Sequence, residues 1–459
     1  MRSVSYQQRI GERRGIVFGV LLACALGCAR PASPDVSRNG ESRSVLLPAG
    51  SKRAIPASSM PSEQARPVAA RRINYPLDRT LSPLTAALSA HLRDIARRSP
   101  QRDNHVFAKV GDSVTYSDDF LHCFSGTKID LGAQPELAVT LEWFLQGKVL
   151  GENSFQRRSL SARIGWSAWQ VLAGKSPPLV RELEATRARY ALVQFGTNDI
   201  EIGALHHFAD RMLEIVDWLI EHGVVPILST IMPRRDRAEK ARWVPRYNLA
   251  IRGVAQSRRV PLFDYYRELR RLPRDGLAND GIHPNTYVVP EGRRPCVFDS
   301  QGLRHGFNVR NLWTLRALHE VRRAVGGMRT PDAPVPALRG QGTAEAPYEL
   351  RRRPGVFVHH FAELPSGRWS TYPCSKRRYP GPEIIYRMDL SKPTRILVMG
   401  FDSSEAKADL FLLRERPVPE ACVRSGSRVI DVALEPGTYY AVLDTEEGRG
   451  ETILTVSEE

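Results

Sequence analysis

Four residues in the middle of the chain have side chains that together can attack an acyl carbonyl. Ser113 ends a Gly-Asp-Ser triplet, Asn198 lies in Gly-Thr-Asn-Asp, and Asp280 and His283 are the two ends of Asp-Gly-Ile-His. The imidazole of His283 can take the proton of the Ser113 hydroxyl, and Asp280 can hold that imidazole in one tautomer. The residue types therefore predict a serine nucleophile with a histidine base.

Three N–H donors can stabilise the oxyanion that such an attack creates. Ser113 follows an apolar run and precedes a stretch able to start a helix, where the helix N-terminus favours negative charge. Gly165 can offer an unshielded backbone N–H, and Asn198 its side-chain amide. Gly132 and Gly151 compete with Gly165 for this role.

The order and spacing of these motifs resemble the SGNH (GDSL-like) hydrolase family. Gly-Asp-Ser-Val-Thr at 111–115 is similar to its first block, Gly-Thr-Asn-Asp at 196–199 to its third and Asp-Gly-Ile-His-Pro at 280–284 to its fifth. The second block has a weaker counterpart at 163–168, around the candidate glycine. The resemblance covers about residues 100 to 326.

The resemblance implies a role for each site residue. Ser113 is expected to be the nucleophile, His283 the base and Asp280 its partner. Ser113, Gly165 and Asn198 are expected to form the oxyanion hole. This chemistry requires neither a metal nor an organic cofactor.

The two aspartates beside the nucleophile and the asparagine, Asp112 and Asp199, have a simpler interpretation. A carboxylate at a tight turn usually accepts hydrogen bonds from backbone N–H groups. We therefore expect both to be structural.

Alternating strand-like and helix-like segments indicate how the site is positioned. Such β–α alternation predicts a parallel sheet covered by helices, and the resemblance implies a flavodoxin-like three-layer αβα domain. Ser113 and Asn198 follow strand ends, where open α/β sheets bind ligands. The predicted strands are Val106–Val110, Tyr190–Phe195, Val224–Ile231 and Val260–Phe263, and the predicted helices are Leu205–Ile220, Arg242–Ala255 and Val309–Val325.

The C-terminal part has a different pattern. Residues 329–346 are rich in Pro and Gly and read as a linker, and short β-rich runs within 347–459 predict an antiparallel β-sandwich. The hairpin at 434–440, with Asp444 closing its strand, resembles bacterial pre-peptidase C-terminal-like domains. The six predicted strands are Glu383–Leu390, Arg395–Met399, Asp409–Leu413, Val429–Leu434, Thr438–Leu443 and Glu451–Val456.

The N-terminus reads as a secretory leader. Arginines precede a short apolar run, and residues 25–28 (Ala-Leu-Gly-Cys) resemble a bacterial lipobox, with Cys28 as the acylated residue. Cys24 is an overlapping candidate, and plain secretion with cleavage near Ala25 is an alternative. We expect a signal at 1–28, a disordered tether at 29–78 and a hydrolase domain at 79–328. The expected localisation is the bacterial cell envelope, with a lipid anchor in the membrane.

Cleavage before Cys28 leaves four cysteines besides the acylated one, an even number that suits an oxidising compartment. We expect a Cys123–Cys296 disulfide bracing the nucleophile segment against the histidine segment, because each thiol follows one of these two residues closely. The remaining pair, Cys374 and Cys422, is expected to join within the sandwich. Buried free thiols are the alternative.

The net charge of the 459 residues is +16, yet half of it lies in the first 72, with 12 Lys or Arg against 4 Asp or Glu. Basic residues interleaved with aromatics are missing, so we do not expect nucleic-acid binding. The scattered histidines and the lack of His-Glu-x-x-His or Cys-x-x-Cys patterns argue against a metal site.

The sequence therefore predicts an envelope serine esterase with an ester substrate, either O-acylated carbohydrate or lipid. An acyltransferase of the same fold and a non-catalytic binding module are the alternatives. The long loop from Tyr287 to Phe307 is a candidate lid or specificity loop. The oligomeric state stays open.

Overall fold

The computed structural model describes residues 75–327 and 338–459, apart from 352, 362–363, 365–366, 404–406 and 449. The predicted signal, with Cys24 and Cys28, lies outside the described residues, as do most of the tether and residues 329–337 of the linker. Tyr75, assigned to the tether from sequence, is buried, and its hydroxyl donates to Val260 O at 2.8 Å. The ordered hydrolase domain therefore includes this residue.

The hydrolase domain alternates strands with helices. Its strands are β1 (Asp103–Gly111), β2 (Ala188–Gln194), β3 (Val225–Ser229) and β4 (Leu262–Phe263), with a small hairpin of β5 (Val288–Val289) and β6 (Gly292–Arg293). Its helices are α1 (Ala86–Arg97), α2 (Ser113–Tyr116), α3 (Ala138–Gln146), α4 (Pro178–Thr186), α5 (Asp199–Ile202), α6 (Leu205–Glu221), α7 (Ala238–Ala241), α8 (Val244–Ser257), α9 (Tyr265–Leu269) and α10 (Gly306–Val325). The predicted β–α alternation is confirmed.

The central sheet is parallel, in the order β1-β2-β3-β4. On the free side of β1, Ala162 forms a parallel bridge with Gly111, held by Gly111 N–H to Ser161 O and Arg163 N–H to Gly111 O. Counting this bridge as a shortened strand, the spatial order is second, first, third, fourth, fifth, as in flavodoxin-like sheets. The next two strands in sequence, the Ala162 bridge and β2, lie on opposite sides of β1, which makes β1 the switch point of the sheet. Ligands bind at such a switch point, beyond the carboxyl ends of the strands.

Burial explains why the strands read as continuous apolar runs. Every residue of β2 is buried, as expected for a parallel sheet with helices on both faces. Helices α1 and α10 pack on each other, and α6 packs on α8. The helices thus close the core around the sheet and leave its carboxyl edge for the site.

The C-terminal domain is a two-sheet sandwich. One sheet has the order β13-β10-β15-β8 and the other β12-β11-β14-β9-β7, with antiparallel pairing except between β7 and β9. The predicted sandwich is confirmed. Its strands are β7 (Tyr348–Glu349), β8 (Gly355–His360), β9 (Glu383–Leu390), β10 (Thr394–Asp402), β11 (Ala408–Arg414), β12 (Cys422–Gly426), β13 (Val429–Leu434), β14 (Gly437–Thr445) and β15 (Glu451–Glu458).

The sandwich and the hydrolase domain share a continuous apolar core. Successive side chains of a strand point to opposite faces, and β10 is buried on both. Ile396 and Val398 lie inside the sandwich, whereas Leu397, Met399 and Phe401 belong to the core of the hydrolase domain. Helix α8 of the hydrolase domain packs on this face of the sandwich, in contact with both β10 and β15. The two domains therefore pack directly against each other and are not joined by the linker alone.

Ion pairs surround this apolar contact. Arg246 on α8 bonds Glu459 at 2.6 Å, and Arg259, just after α8, bonds Glu451 at 2.5 Å. Arg428 of the sandwich bonds Asp210 on α6 at 2.7 Å. Because most of these side chains are partly screened from water, the pairs fix the orientation of the docked domains more than exposed pairs would.

Gly253, in the middle of α8, is a point of close approach between the domains, since a Cβ there would overlap the Phe401 ring. We expect Gly253→Leu to destabilise the protein by about 3 kcal/mol, because overpacking a dense contact is not relieved by relaxation. Thermal unfolding measures the resulting fall in Tm. Ala185→Leu, at an exposed position of α4, is the matched control and should leave Tm unchanged.

Both expected disulfides are present in the structure. Cys123 and Cys296 are joined, as are Cys374 and Cys422. The first closes a separation of 173 residues and so ties the chain after the nucleophile to the chain after the histidine. The alternative of free thiols is therefore wrong for these four residues.

Candidate active site

Ser113 lies where β1 ends and α2 begins, at the switch point of the sheet. Asp112 is the N-cap of α2 and accepts a hydrogen bond from Val114 N–H at 3.0 Å. Gly111 must be glycine, because a Cβ there would overlap Thr115 and the carbonyl oxygen of Gln194. This tight turn aims the first residue of α2, Ser113, at the carboxyl edge of the sheet.

Ser113, His283 and Asp280 form one hydrogen-bonded chain. Ser113 Oγ lies 3.0 Å from His283 Nε2, and His283 Nδ1 lies 2.7 Å from Asp280 Oδ2. The structure thus brings Ser113 into contact with His283, which lies 170 positions later in the sequence. This is the arrangement in which a base activates a hydroxyl and a carboxylate orients the base.

The loop that carries His283 is held by hydrogen bonds between the Asp280 side chain and backbone N–H groups of the same loop. Asp280 Oδ1 accepts from the backbone N–H of Ile282 at 2.9 Å and of His283 at 3.0 Å. Gly281 has a φ of +71° and packs against Asp236, so a larger residue there would be strained. Partial burial raises the pKa of Asp280, but these N–H groups and the His283 ring outweigh it, and the pKa lies below its usual range.

Two of the three candidate oxyanion donors, Gly165 and Asn198, lie on segments that contact each other. Asn198 Nδ2 donates to Trp166 O at 2.9 Å, which uses one of its two N–H groups. The turn at Gly165, with a φ of +78°, follows the Ala162 bridge to β1. Of the competing glycines, Gly132 packs against Phe298 and Gly151 lies in a turn with nothing within 4 Å of a Cβ.

Asp199 and Asp112 have the structural roles expected from the sequence. Asp199 accepts a hydrogen bond from Ala168 N–H at 3.0 Å and so joins α5 to the turn after Gly165. Burial raises the pKa of Asp199 to about 7, although the Ala168 N–H opposes this rise. Burial likewise raises the pKa of Asp112, against the lowering effect of the Arg310 guanidinium.

Arg310 supports the nucleophile helix through hydrogen bonds, a role that was not predicted from the sequence. Its guanidinium is buried, donates to Val114 O at 2.5 Å and Thr115 Oγ1 at 2.8 Å, and lies over the Phe120 ring. Burial lowers the pKa of Arg310 to about 10, and Asp112 opposes that effect. An arginine on the buried face of a predicted amphipathic helix was the available signal, since such a charge must have partners.

The long loop after the histidine is fastened to the chain after the nucleophile. The buried Asp119 accepts from Thr286 Oγ1 at 2.6 Å and from Arg293 Nε at 2.8 Å. The Cys123–Cys296 disulfide adds a covalent tie to the same loop. The beginning and the middle of this loop are thus tied to the chain that follows the nucleophile.

Residues 110–287 match the family described as GDSL-like Lipase/Acylhydrolase. This segment belongs to that family. The chain is accordingly a hydrolase that acts on ester bonds, and the matched residues include the whole Ser113–His283–Asp280 chain. No curated protein matches the chain.

Several solved structures are similar in fold. A GDSL-like lipase from Bacteroides thetaiotaomicron shares 12% identity, with a TM-score of 0.31, covering 51% of this chain and 98% of its own. An acetylxylan esterase from Geobacillus stearothermophilus shares 14%, with a TM-score of 0.32, covering 46% and 93%. The pre-peptidase C-terminal domain of a collagenase from Bacillus anthracis shares 13%, with a TM-score of 0.17, covering 22% and 88%.

The described residues contain neither a membrane-spanning helix nor a metal-binding cluster. Within 75–327 and 338–459, no helix combines the length and the apolar character needed to span a bilayer. Over the same ranges, no three His, Cys, Asp or Glu side chains are grouped to hold a metal ion.

Proposed function

We propose that the protein is an extracytoplasmic serine esterase that removes O-acyl groups from carbohydrate through a Ser113–His283–Asp280 triad. The observation that carries the proposal is the continuous hydrogen-bonded chain from Ser113 Oγ through the His283 ring to the Asp280 carboxylate. The appended sandwich and the predicted envelope address favour carbohydrate over lipid as the acyl carrier.

In the first half-reaction, Ser113 Oγ attacks the ester carbonyl carbon while His283 Nε2 takes the hydroxyl proton. The oxyanion accepts hydrogen bonds from the N–H groups of Ser113 and Gly165 and from the Asn198 amide. Collapse breaks the bond to the alcohol oxygen, and His283 returns the proton to that leaving group. Water then attacks the acyl-Ser113 carbonyl in the same way and releases the carboxylic acid.

Hydrolysis is favoured over acyl transfer because the base is open to solvent. The side chains of His283 and Asp280 are 44% and 48% exposed. An acyltransferase must keep water away from the acyl-enzyme until the acceptor arrives, and this half of the site offers water a direct approach. Retention of all the site residues likewise argues against a non-catalytic binding module.

The extracytoplasmic address depends on the leader and on the cysteines. We propose that Cys28, rather than Cys24, is lipidated after signal cleavage and anchors the chain to the envelope membrane. The two disulfides support this address, because disulfides persist in oxidising compartments. Metabolic labelling with a fatty acid, compared between Cys28→Ser and Cys24→Ser, tests the assignment.

A hydrolysis series on chromogenic esters from acetyl to palmitoyl tests the proposed reaction. We expect kcat/KM to be highest for acetyl and to fall with chain length, because the proposed substrate carries small acyl groups. A maximum at long chains would contradict a carbohydrate substrate and point to lipid. No turnover of any ester, with activity restored by added sugar acceptors, would indicate an acyltransferase.

Asn198→Ala tests the oxyanion assignment. We expect kcat to fall by about 100- to 1000-fold, the usual cost of one missing donor, with little change in KM. Asn198→Asp keeps the size but places a carboxylate beside the oxyanion, so its loss should be at least as large. A loss below about tenfold for Asn198→Ala would contradict the assignment.

A further inference from the structure

A groove of about 320 Å³ is lined by residues that follow Gly165 and Asn198 in sequence. Its walls are the turn after Gly165, which contributes Trp169, and the start of α6, which contributes His207 and Phe208. This volume is in the range of small-molecule pockets, about 300–1,000 Å³.

The groove adjoins the candidate oxyanion segments along the chain. Asp199, which lines the groove, is the residue after Asn198, and it accepts a hydrogen bond from Ala168, the residue before Trp169. Consecutive Cα atoms are about 3.8 Å apart, so the groove begins one residue away from the candidate oxyanion amide. A ligand that extends from the reacting ester along these segments would therefore reach the groove.

Two large apolar residues that line the groove are exposed. Trp169 is 50% exposed and Ile202 is 58% exposed. Exposed apolar surface at a concave site next to a catalytic centre indicates a ligand contact. The indole presents a flat apolar face with a polar edge.

The rim of the groove is polar and charged. His207 is exposed, and Arg211 lies one helical turn further along α6, so both side chains face the groove. A guanidinium and an imidazole beside an open apolar floor do not suit an acyl chain, which prefers an enclosed apolar pocket. They suit a sugar ring, whose C–H face packs on an indole while its hydroxyl groups bond to polar side chains.

The α6 wall of the groove is held in place by the sandwich. Asp210, between Phe208 and Arg211 in sequence, bonds Arg428 of the docked domain at 2.7 Å. Groups held in the bound geometry cost less free energy to order when the ligand binds. The docked domain thereby contributes to the site without touching the reacting atoms.

We propose that this groove binds a sugar unit of the acylated carbohydrate, adjacent to the unit that carries the ester, with Trp169 as its stacking platform. The inference deepens the proposed function and rests on it for the identity of the substrate. Binding of the sugar can nevertheless be measured without catalysis, so the two can fail separately.

The kinetic test compares para-nitrophenyl acetate with partially O-acetylated xylo-oligosaccharides of two to six units, using the full chain. For Trp169→Ala, we expect the kcat/KM on oligosaccharide, relative to that on the small ester, to fall about tenfold, mainly through KM. Trp169→Phe, which keeps a ring, should recover most of the loss. Leu150→Ala, at a 94% exposed position outside the groove, should leave the ratio unchanged.

The binding test titrates unacetylated xylo-oligosaccharides into Ser113→Ala by calorimetry. Binding that weakens about tenfold when Trp169→Ala is added supports the subsite, even if the wild-type protein hydrolyses no ester. Equal kinetic losses on both substrates would overturn the proposal, because Trp169 would then act on the reacting centre. A loss that grows with acyl chain length would also overturn it, by making the groove an acyl site.

Discussion

Replacing Ser113 by alanine is expected to lower kcat for ester hydrolysis by about 10⁴- to 10⁶-fold. Alanine removes the only atom that attacks the carbonyl, while the His283–Asp280 pair and the backbone of α2 stay in place. No acyl-enzyme can form, and the residual rate comes from the oxyanion donors and from binding. Steady-state kinetics on the best chromogenic ester measures the loss.

The control for this variant must show that the fold is intact. Ser117→Ala removes a hydroxyl at the end of the same helix, where Ser117 Oγ accepts only from Asp119 N–H. We expect it to keep wild-type activity, and we expect Ser113→Ala to keep the wild-type Tm. Activity retained by Ser113→Ala would remove this serine from the mechanism.

The triad also predicts how losses combine. His283→Ala should lose about as much activity as Ser113→Ala, and the double variant should lose no more than either alone, because triad members act as a unit. Additive losses would mean that the two residues act in separate steps.

Much of the site could be predicted because short motifs follow buried strands. The apolar runs before Ser113 and Asn198 are β1 and β2, whose carboxyl ends are neighbours in a parallel sheet. Proximity of these two residues therefore follows from the β–α alternation. The strand at Ala162 could not be predicted, since a single bridge leaves no apolar run.

The docking of the sandwich was not predicted, although the sequence carries its signal. In an antiparallel sheet with one solvent-exposed face, each strand alternates apolar and polar residues. Residues 396–401 are instead apolar throughout, apart from Gly400. That run required a partner on the second face, which the linker-like composition of 329–346 obscured. The edge strand β12 was missed for the opposite reason, because its exposed residues show no alternation.

Buried charge was the other feature that the sequence concealed. No role was predicted from the sequence for Arg310 or Asp119, yet each is buried and joins segments far apart in the chain. A charged residue on an apolar helix face carries a desolvation cost that only specific partners offset. Its partners are set by the tertiary fold, so sequence spacing cannot name them.

Asp280→Asn is expected to lower kcat by about 10⁴-fold, because it favours the wrong tautomer of His283. Asp280 Oδ1 already accepts the backbone N–H groups of Ile282 and His283. In the variant, the amide oxygen must take that position, which turns the amide NH₂ toward His283 Nδ1. Nδ1 then accepts, Nε2 carries the proton, and the ring cannot take a proton from Ser113.

Asp280→Ala is the matched control for this argument. It removes the orienting group without offering a donor, so His283 can still adopt the productive tautomer for part of the time. We therefore expect the asparagine variant to be no more active than the alanine variant, despite its closer shape. Nitrogen NMR shifts of the His283 ring report the tautomer directly. An asparagine variant that exceeds the alanine variant, or that keeps the proton on Nδ1, would show that Asp280 acts only through its charge.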